Sequence, residues 1–217
     1  MSTSRPVIFH FDFISPYSYL ASQLLARSPF DAISIDCRPV VFGSMLSKLD
    51  VKGPGEIPAR RRAGLQDVLL LADRYRIPLE GPPTHPFNSI YALRSVCAVE
   101  SSEQRRRLTD RYFRAGWAES KDLADPQVLR QLALEVGVDH DPEAVASDRS
   151  IRQQLKKQTQ ALLELGGWGV PSFVVGEVLL FGHERIDMAR ALAAGEVEPN
   201  TTKLQALLDR PQPGRVI

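Results

Sequence analysis

The chain is poor in cysteine and has no excess of either charge. Its only cysteines, Cys37 and Cys97, are far apart, so neither a Cys-x-x-Cys redox centre nor a metal site built from cysteine pairs is expected. The four histidines show no metal-ligand spacing, and we therefore predict no metal site. The net charge of +1 gives no electrostatic basis for binding nucleic acid or a membrane surface.

Long apolar runs are also missing. No stretch approaches the roughly 20 apolar residues that a membrane span needs, and residues 1–6 lack the apolar segment of a signal peptide. The sequence therefore predicts a cytoplasmic protein with neither a membrane nor a nucleic-acid partner. With 217 residues, of which 43% are hydrophobic, the chain is long and apolar enough for one large domain or one domain with an insertion.

The first part of the chain has the pattern of a strand, a helix and a second strand. Residues 7–14 are rich in Val, Ile and Phe, as in a central strand, and residues 33–40 resemble a second strand. Ser15 is a typical helix N-cap, and Pro16 suits the first helical position because its missing N–H costs nothing there. This order predicts a βαβ unit with two parallel strands.

The rest of the chain is first helical and then returns to strands. Helical spacing continues from about residue 58 to 166, including a long amphipathic helix over 147–165. Strand patterns return at residues 172–175 and 178–181, joined by the turn Gly176-Glu177, and a helix follows over about 184–194. We predict an α/β thioredoxin-like fold (βαβ…ββα) interrupted by a large all-helical insertion. Residues 1–45 and 167–217 would form the thioredoxin-like domain, and residues 46–166 the insertion.

The junction at Ser15 is the first candidate site. Thioredoxin-like folds carry a reactive cysteine at this strand-to-helix junction, whereas this chain has Ser15-Pro16-Tyr17-Ser18. Ser15 can be an ordinary N-cap. It can also be a hydroxyl that, together with the positive end of the helix dipole, binds a thiolate. The two interpretations are compatible, and because the chain supplies no thiol here, glutathione is the obvious source of one.

Two later segments are candidates for holding such a thiol. Val170-Pro171 is either a trans strand start or a cis peptide facing Ser15, and the order of elements favours cis. A cis peptide here would present the Val170 backbone to glutathione as an extra strand. Gly182-His183-Glu184 is either a turn with a favourable first-turn acid or a polar pocket, in which Glu184 pairs with the γ-glutamyl ammonium.

Two further features have a structural and a functional interpretation. Arg60 and Arg61, at a predicted helix start, form either a solvated basic face or an anchor for a substrate carboxylate. The proline-rich loop over residues 82–88 is either the wall of an apolar pocket or a simple connection between helices. Cys97 lies on an apolar face of a predicted helix and Cys37 lies in a predicted strand, so both are predicted to be buried.

Five segments together resemble one family. Residues 11–21, 53–61, 83–88, 169–173 and 181–185 are similar, in the same order, to segments of bacterial 2-hydroxychromene-2-carboxylate isomerases and class kappa glutathione transferases. The resemblance covers about residues 7 to 194, and the first segment is its most specific part. The 169–173 segment is shared with the whole DsbA-like superfamily.

The resemblance implies glutathione as cofactor and a role for each candidate residue. Ser15 would be the catalytic serine contacting the glutathione sulfur. The expected glutathione-binding residues are Ser15, Pro16, Tyr17, Val170, Pro171, Gly182, His183 and Glu184. Glu184 stands where the family usually has Asp. The Gly-Asn of kappa enzymes has only Gly55-Glu56 as its nearest match, so that contact is not carried over.

The implied reaction is the glutathione-dependent isomerisation of 2-hydroxychromene-2-carboxylate to trans-o-hydroxybenzylidenepyruvate, a step in aromatic degradation. The partner would be a small aromatic carboxylate substrate, and a homodimer is left open. The alternatives are a kappa-like glutathione transferase or peroxidase and a non-catalytic thioredoxin-like glutathione-binding protein. A DsbA-like disulfide oxidoreductase is disfavoured by the missing Cys-x-x-Cys.

Overall fold

The computed structural model describes residues 4–27 and 33–211. Residues 1–3, 28–32 and 212–217, which the predicted thioredoxin-like domain includes, lie outside the described residues. The elements in chain order are β1 (Val7–Phe11), α1 (Pro16–Leu25), β2 (Ile35–Pro39), α2 (Phe42–Leu49), a 3-10 turn (Pro54–Glu56), α3 (Pro58–Tyr75), α4 (Ile90–Cys97), α5 (Ser102–Ala118), α6 (Pro126–Glu135), α7 (Pro142–Ser147), α8 (Arg149–Glu164), β3 (Ser172–Val175), β4 (Val178–Phe181), a second 3-10 turn (His183–Arg185), α9 (Ile186–Ala194) and α10 (Thr201–Leu208).

The four strands form one mixed sheet in the order β2-β1-β3-β4. β1 and β2 are parallel, while β3 pairs antiparallel with both β1 and β4. In the centre of the sheet, Phe9 of β1 lies opposite Cys37 on one side and Phe173 on the other. The predicted βαβ…ββα fold with a helical insertion is therefore confirmed. The division at residues 46 and 166 stays a prediction.

Two predicted boundaries are wrong for local reasons. β1 ends at Phe11 rather than Ile14, because the Asp12 side chain accepts a hydrogen bond from the Ile14 N–H (3.2 Å) and turns the chain. The helix expected over residues 147–165 is also divided. Ser147 ends α7, and Asp148 begins a new helix by accepting hydrogen bonds from the N–H groups of Ser150 and Ile151.

Aromatic rings join the sheet to the helical region. Phe9 stacks on Phe173 within the sheet, with ring centroids 5.4 Å apart. Phe11 and Phe13 both contact Phe113 of α5, at 5.4 Å and 4.7 Å. All five rings are buried. Since rings of this size make a large apolar contribution to packing, the end of β1 and the segment leading to Ser15 are held firmly against α5.

Candidate functional site

Ser15 begins α1 and is almost completely buried, at 7% exposure. Its Oγ accepts a hydrogen bond from the Ser18 N–H at 3.1 Å, which satisfies one of the free donors of the first helical turn. Pro16 occupies the first helical position, as predicted. The cap interpretation of Ser15 is thus confirmed, and it leaves the hydroxyl at the positive end of the helix.

The second predicted segment lies beside this hydroxyl. The Val170-Pro171 peptide is cis, as the order of elements predicted. Ser15 Oγ lies 3.4 Å from the Val170 carbonyl oxygen. The Pro171 carbonyl in turn accepts a hydrogen bond from the Gly182 N–H at 3.0 Å. The fold therefore brings the Ser15 junction, the cis peptide and the turn after β4 together in one place.

The turn after β4 requires glycine. Gly182 has a φ of +109°, a conformation that residues with a side chain rarely adopt, and a Cβ there would collide with the Glu184 carboxylate. The His183 Nδ1 lies 3.5 Å from Glu184 Oε2, and Glu184 Oε1 lies 3.4 Å from Arg185 Nε. The Glu184 side chain is about half exposed (49%), so its carboxylate is accessible to a ligand.

Tyr17 connects this turn to helix α3. Its ring stacks on His183 with centroids 5.7 Å apart, and its hydroxyl donates a hydrogen bond to Asp67 Oδ2 at 2.8 Å. Burial, followed by the bond to Asp67, raises the pKa of the Tyr17 hydroxyl. Burial lowers the pKa of His183, against the opposing effect of the Glu184 and Asp67 charges. The Tyr17 hydroxyl is therefore a neutral donor at physiological pH.

Asp67 is a site residue that the sequence reasoning missed. It lies on α3, near Gly64, where a Cβ would be 4.0 Å from the Tyr17 hydroxyl oxygen. Helical spacing alone could have grouped Asp67 with Gly64 and Arg60, because residues three and four apart share a helix face. It could not have shown that this face meets Tyr17.

Arg60 and Arg61 lie one turn before Gly64 on α3 and are exposed. Around the helix axis, Arg60 and Arg61 lie on either side of Gly64, which faces Tyr17. Arg62 lies on the opposite side of the helix. Within residues 4–27 and 33–211, the side chains of Arg60 and Arg61 make neither a hydrogen bond nor an ion pair, although the Arg61 backbone N–H donates to the Ile57 carbonyl. The two guanidinium groups are therefore free to bind an anion, and they lie on the part of α3 that precedes Gly64. That they bind a substrate carboxylate stays a prediction.

The proline-rich loop over residues 82–88 contacts the segment that leads into Ser15. His85 Nε2 lies 2.9 Å from the Ile14 carbonyl oxygen, and the His85 ring meets Trp117 edge-on at 5.5 Å. The loop is therefore more than a simple connection between helices. That the loop also forms the wall of an apolar pocket stays a prediction.

A buried carboxylate, Asp12, organises the backbone beneath the site. It accepts hydrogen bonds from the Phe42 N–H (2.9 Å), the Ser89 hydroxyl (2.7 Å) and the Ile14 N–H (3.2 Å). Burial raises its pKa, and these three donors act in the opposite direction. Asp12 thus links the end of β1, the start of α2 and the start of α4. The sequence reasoning gave it no role.

Neither cysteine is a reactive thiol. Cys37 and Cys97 are both buried, as predicted. Burial raises the pKa of each to about 12. Since the thiolate is the reactive form of cysteine, neither side chain can supply a nucleophile near neutral pH.

The fold and this junction define a thioredoxin-like protein in which serine occupies the position of the reactive cysteine. A family model described as a DsbA-like thioredoxin domain matches residues 6–193. The chain belongs to this family. Among the described residues, no helix has the length and apolar character needed to cross a membrane.

Curated relatives carry two names. Human glutathione S-transferase kappa 1 is 26% identical over 201 residues, covering 85% of this chain and 88% of its own length. The 2-hydroxychromene-2-carboxylate isomerase of Sphingobium xenophagum is 28% identical over 189 residues, covering 85% and 95%. The family resemblance drawn from the five sequence segments is thereby confirmed.

Solved structures agree on the fold. A 2-hydroxychromene-2-carboxylate isomerase has a TM-score of 0.79 at 23% identity, covering 94% of this chain and 99% of its own. The cytosolic disulfide reductase DsbM of Pseudomonas aeruginosa, solved with GSH, has a TM-score of 0.63 at 18% identity, covering 92% and 99%. At these identities the likeness establishes the fold alone.

Proposed function

We propose that the protein is a glutathione-dependent isomerase of the 2-hydroxychromene-2-carboxylate isomerase type. The observation that carries the proposal is the Ser15 hydroxyl at the start of α1, beside the cis Val170-Pro171 peptide and without a reactive cysteine. A helix N-terminus stabilises a thiolate. A site with these features and no thiol of its own suits a thiol brought by a second molecule.

Glutathione would occupy the site in three parts. Its sulfur would lie against Ser15, Pro16 and Tyr17, and its cysteinyl backbone would pair with Val170 at the cis peptide. The Glu184 carboxylate would pair with the γ-glutamyl ammonium. Backbone N–H groups near Gly182 and His183 would donate hydrogen bonds to the γ-glutamyl carboxylate. The contacts among Ser15, Val170, Pro171 and Gly182 support this arrangement.

The Ser15 hydroxyl has a weak partner that a ligand would displace. At 3.4 Å its contact with the Val170 oxygen is longer than an ordinary hydroxyl hydrogen bond. A thiolate beside Ser15 offers a charged acceptor, and a hydrogen bond to a charged group is stronger than one to a neutral carbonyl. The hydroxyl would therefore turn to the sulfur and hold it as a thiolate.

The bound thiolate would act as a reversible nucleophile. The hemiketal ring of the substrate first opens: its ring C–O bond breaks, the phenol oxygen takes up a proton, and the hemiketal hydroxyl loses its proton to become a ketone. The sulfur then forms a bond to the alkene carbon next to the aromatic ring, and the alkene electron pair moves onto this ketone to give an enolate. The former double bond is now single and rotates. The enolate then restores the alkene and the thiolate leaves, so glutathione is not consumed. Thiolates suit both steps because they are good nucleophiles and good leaving groups.

Arg60 and Arg61 would bind the substrate carboxylate during this sequence. Guanidinium groups pair with carboxylates in a bidentate geometry, and neither of these two guanidinium groups has a partner among the described residues. Holding the carboxylate would place the alkene near the sulfur and offset the charge that develops on the enolate oxygen.

The test combines the chromene acid with glutathione and purified protein. We expect the trans product to accumulate while the total thiol stays constant, and we expect S-methylglutathione, which has no free thiol, to support no turnover. Absence of turnover with glutathione present would reject the proposal. Calorimetric titration with glutathione alone separates a catalytic failure from a failure to bind.

A kappa-like glutathione transferase is the second candidate. The match to human glutathione S-transferase kappa 1 along 85% of the chain favours it. A transferase would consume glutathione, so conjugation of a chlorinated dinitrobenzene with loss of free thiol would identify it. Calorimetric binding of glutathione with neither reaction would instead favour a non-catalytic glutathione-binding protein.

A further inference from the structure

We propose that His85 is a positioning residue for Ser15, which it orients by holding the carbonyl group of Ile14. The proposal rests on the proposed function, because its consequence is the geometry of the thiolate site. It assigns a role to the proline-rich loop over residues 82–88, which lies in the predicted insertion. His85 follows Ile14 by 71 positions in the chain.

The segment before Ser15 needs partners from elsewhere in the fold. Residues 12–14 belong to neither β1 nor α1, so their carbonyl groups have no place in the sheet or helix hydrogen-bond ladders. The Phe13 carbonyl accepts a hydrogen bond from Trp117 Nε1–H at 2.8 Å. The Ile14 carbonyl accepts one from His85 Nε2 at 2.9 Å. Two side chains of the insertion thus complete the backbone bonding of this segment.

The geometry also defines the state of the His85 ring. A carbonyl oxygen only accepts hydrogen bonds, so His85 Nε2 must carry the proton. The neutral ring is therefore the Nε2–H tautomer. A charged ring would keep the same bond, because both of its nitrogens carry protons. The contact with Ile14 thus does not depend on the charge of His85.

The bond from His85 acts on the peptide plane that enters Ser15. That plane contains the Ile14 carbonyl and the Ser15 N–H, and it is rigid. The carbonyl end is held by His85 at 2.9 Å, and the N–H end donates to the Asp12 carbonyl at 3.0 Å. With both ends held, the orientation of the Ser15 backbone is set. The hydrogen bond from the Ser18 N–H then holds the Ser15 Oγ in one direction from that backbone.

His85 is itself held in place by its neighbours. Its ring meets the Trp117 ring at a centroid distance of 5.5 Å and an angle of 65°, an edge-to-face arrangement. Trp117 is buried, and its indole N–H donates a hydrogen bond to the Phe13 carbonyl. Four residues after His85, the Ser89 hydroxyl donates to the buried Asp12 carboxylate at 2.7 Å. Such second-layer support matters because small misplacements of a reacting group cost much of the rate.

The test compares two variants of His85 with the unmodified protein. His85→Phe keeps a ring against Trp117 but has no donor for Ile14. His85→Gln is the matched control, because its amide nitrogen reaches about as far as Nε2 and can donate. The measurements are kcat, the KM for glutathione and the pKa of the bound glutathione thiol. The pKa is obtained from the ultraviolet absorbance of the thiolate as a function of pH.

For His85→Phe we expect kcat to fall about tenfold and the pKa of the bound thiol to rise by about one unit, which is the same free energy. The KM for glutathione should change less than kcat, because the γ-glutamyl contacts are untouched. His85→Gln should behave like the unmodified protein. A purely structural role would lower stability without moving the thiol pKa.

Several outcomes overturn the inference. Unchanged kcat and thiol pKa in His85→Phe would do so, and so would an equal loss in Phe and Gln variants that are both folded. If His85→Phe does not fold, His85→Leu takes its place with the same expectations. If the unmodified protein itself binds glutathione without lowering the pKa of its thiol, the proposed function fails, whatever the variants show.

Discussion

The Ser15 hydroxyl oxygen lies 3.4 Å from the Val170 carbonyl oxygen, although 155 positions separate the two residues in the chain. Ser15 ends the first strand-to-helix connection of the sheet, and Val170 precedes its third strand. Both segments reach the same place because β1 and β3 are neighbours and antiparallel, so the residues that follow β1 lie beside those that precede β3. The N-terminus of α1 therefore lies beside the backbone of the cis Val170-Pro171 peptide.

Replacement of Ser15 by alanine should separate its two roles. Loss of the N-cap should lower the free energy of unfolding by about 1 kcal/mol. Loss of the hydroxyl donor should lower kcat/KM by about 10²- to 10³-fold, as for other donors to a developing or bound anion. Steady-state kinetics and urea unfolding measure the two effects.

Ser15→Thr is the matched control for this change, because it keeps both the cap and the hydroxyl. It should retain most of the stability and more activity than Ser15→Ala. Full activity in Ser15→Ala, with only the stability loss, would mean that Ser15 is an N-cap and nothing more.

Replacement of Arg60 or Arg61 by alanine should weaken substrate binding. If these side chains hold the substrate carboxylate, each change should raise the KM for the chromene acid about tenfold, the size of a charge-assisted hydrogen bond of roughly 1.5 kcal/mol. The KM for glutathione should stay within about twofold, because its proposed contacts lie on other elements.

Arg62→Ala supplies the comparison for the two arginine variants. Arg62 is also exposed but points to the opposite side of α3. Its loss should leave both KM values unchanged. Equal effects at all three positions would indicate a general influence of positive charge on substrate encounter rather than a defined anchor.

The buried His10 should make the protein less stable in mild acid. Burial first, and then the charge of Arg38, lowers its pKa to about 4, while Asp36 acts in the opposite direction. In the unfolded chain the group has a pKa near its usual 6.5, so protons bind more tightly to the unfolded state. His10 therefore contributes about 3 kcal/mol to the free energy of unfolding above about pH 6.5, and this contribution is lost as the pH falls towards about 4.

Urea unfolding at several pH values checks the His10 effect when the unmodified protein is compared with His10→Phe, a ring of similar size that cannot titrate. The difference between the two plots of unfolding free energy against pH gives the contribution of His10 alone. It removes the contribution of Asp12, whose raised pKa changes stability in the opposite direction. Parallel curves for the two proteins between about pH 7 and about pH 4 would contradict the prediction.

Native Cys37 and Cys97 should resist thiol reagents. Both are buried, with pKa values raised to about 12, and reaction needs an accessible thiolate. We expect slow modification by a disulfide reagent in the folded protein and rapid modification of both residues in urea. A paired Cys37→Ala/Cys97→Ala variant, if folded, should keep its dependence on glutathione. Loss of that dependence would mean that one of these thiols takes part in the reaction.

The local features of this chain followed from the sequence because their causes are local. Ser15 and Pro16 begin a helix through capping and a fixed φ, both of which act within one turn. Gly176-Glu177 between two apolar runs defines the hairpin of β3 and β4. The cis state of Val170-Pro171 also followed, but only by way of the order of the elements.

The two wrong boundaries show where local patterns are insufficient. Phe13 and Ile14 continue the apolar run of β1, yet they leave the sheet because the Asp12 carboxylate captures the Ile14 N–H and the Phe42 N–H. Asp148 divides a continuous amphipathic pattern because its side chain caps a new helix. In both cases one side-chain hydrogen bond outweighs periodicity.

By itself, therefore, the sequence determined the order of the elements, the cap at Ser15, the hairpin and the absence of a reactive thiol pair. Only the tertiary structure decided which distant groups meet there: Asp67 with Tyr17, and His85 with Ile14. These contacts join the helical insertion to the start of α1. They depend on how α3 and the loop before α4 pack on the sheet, which is set by burial over the whole molecule rather than by any segment of the chain.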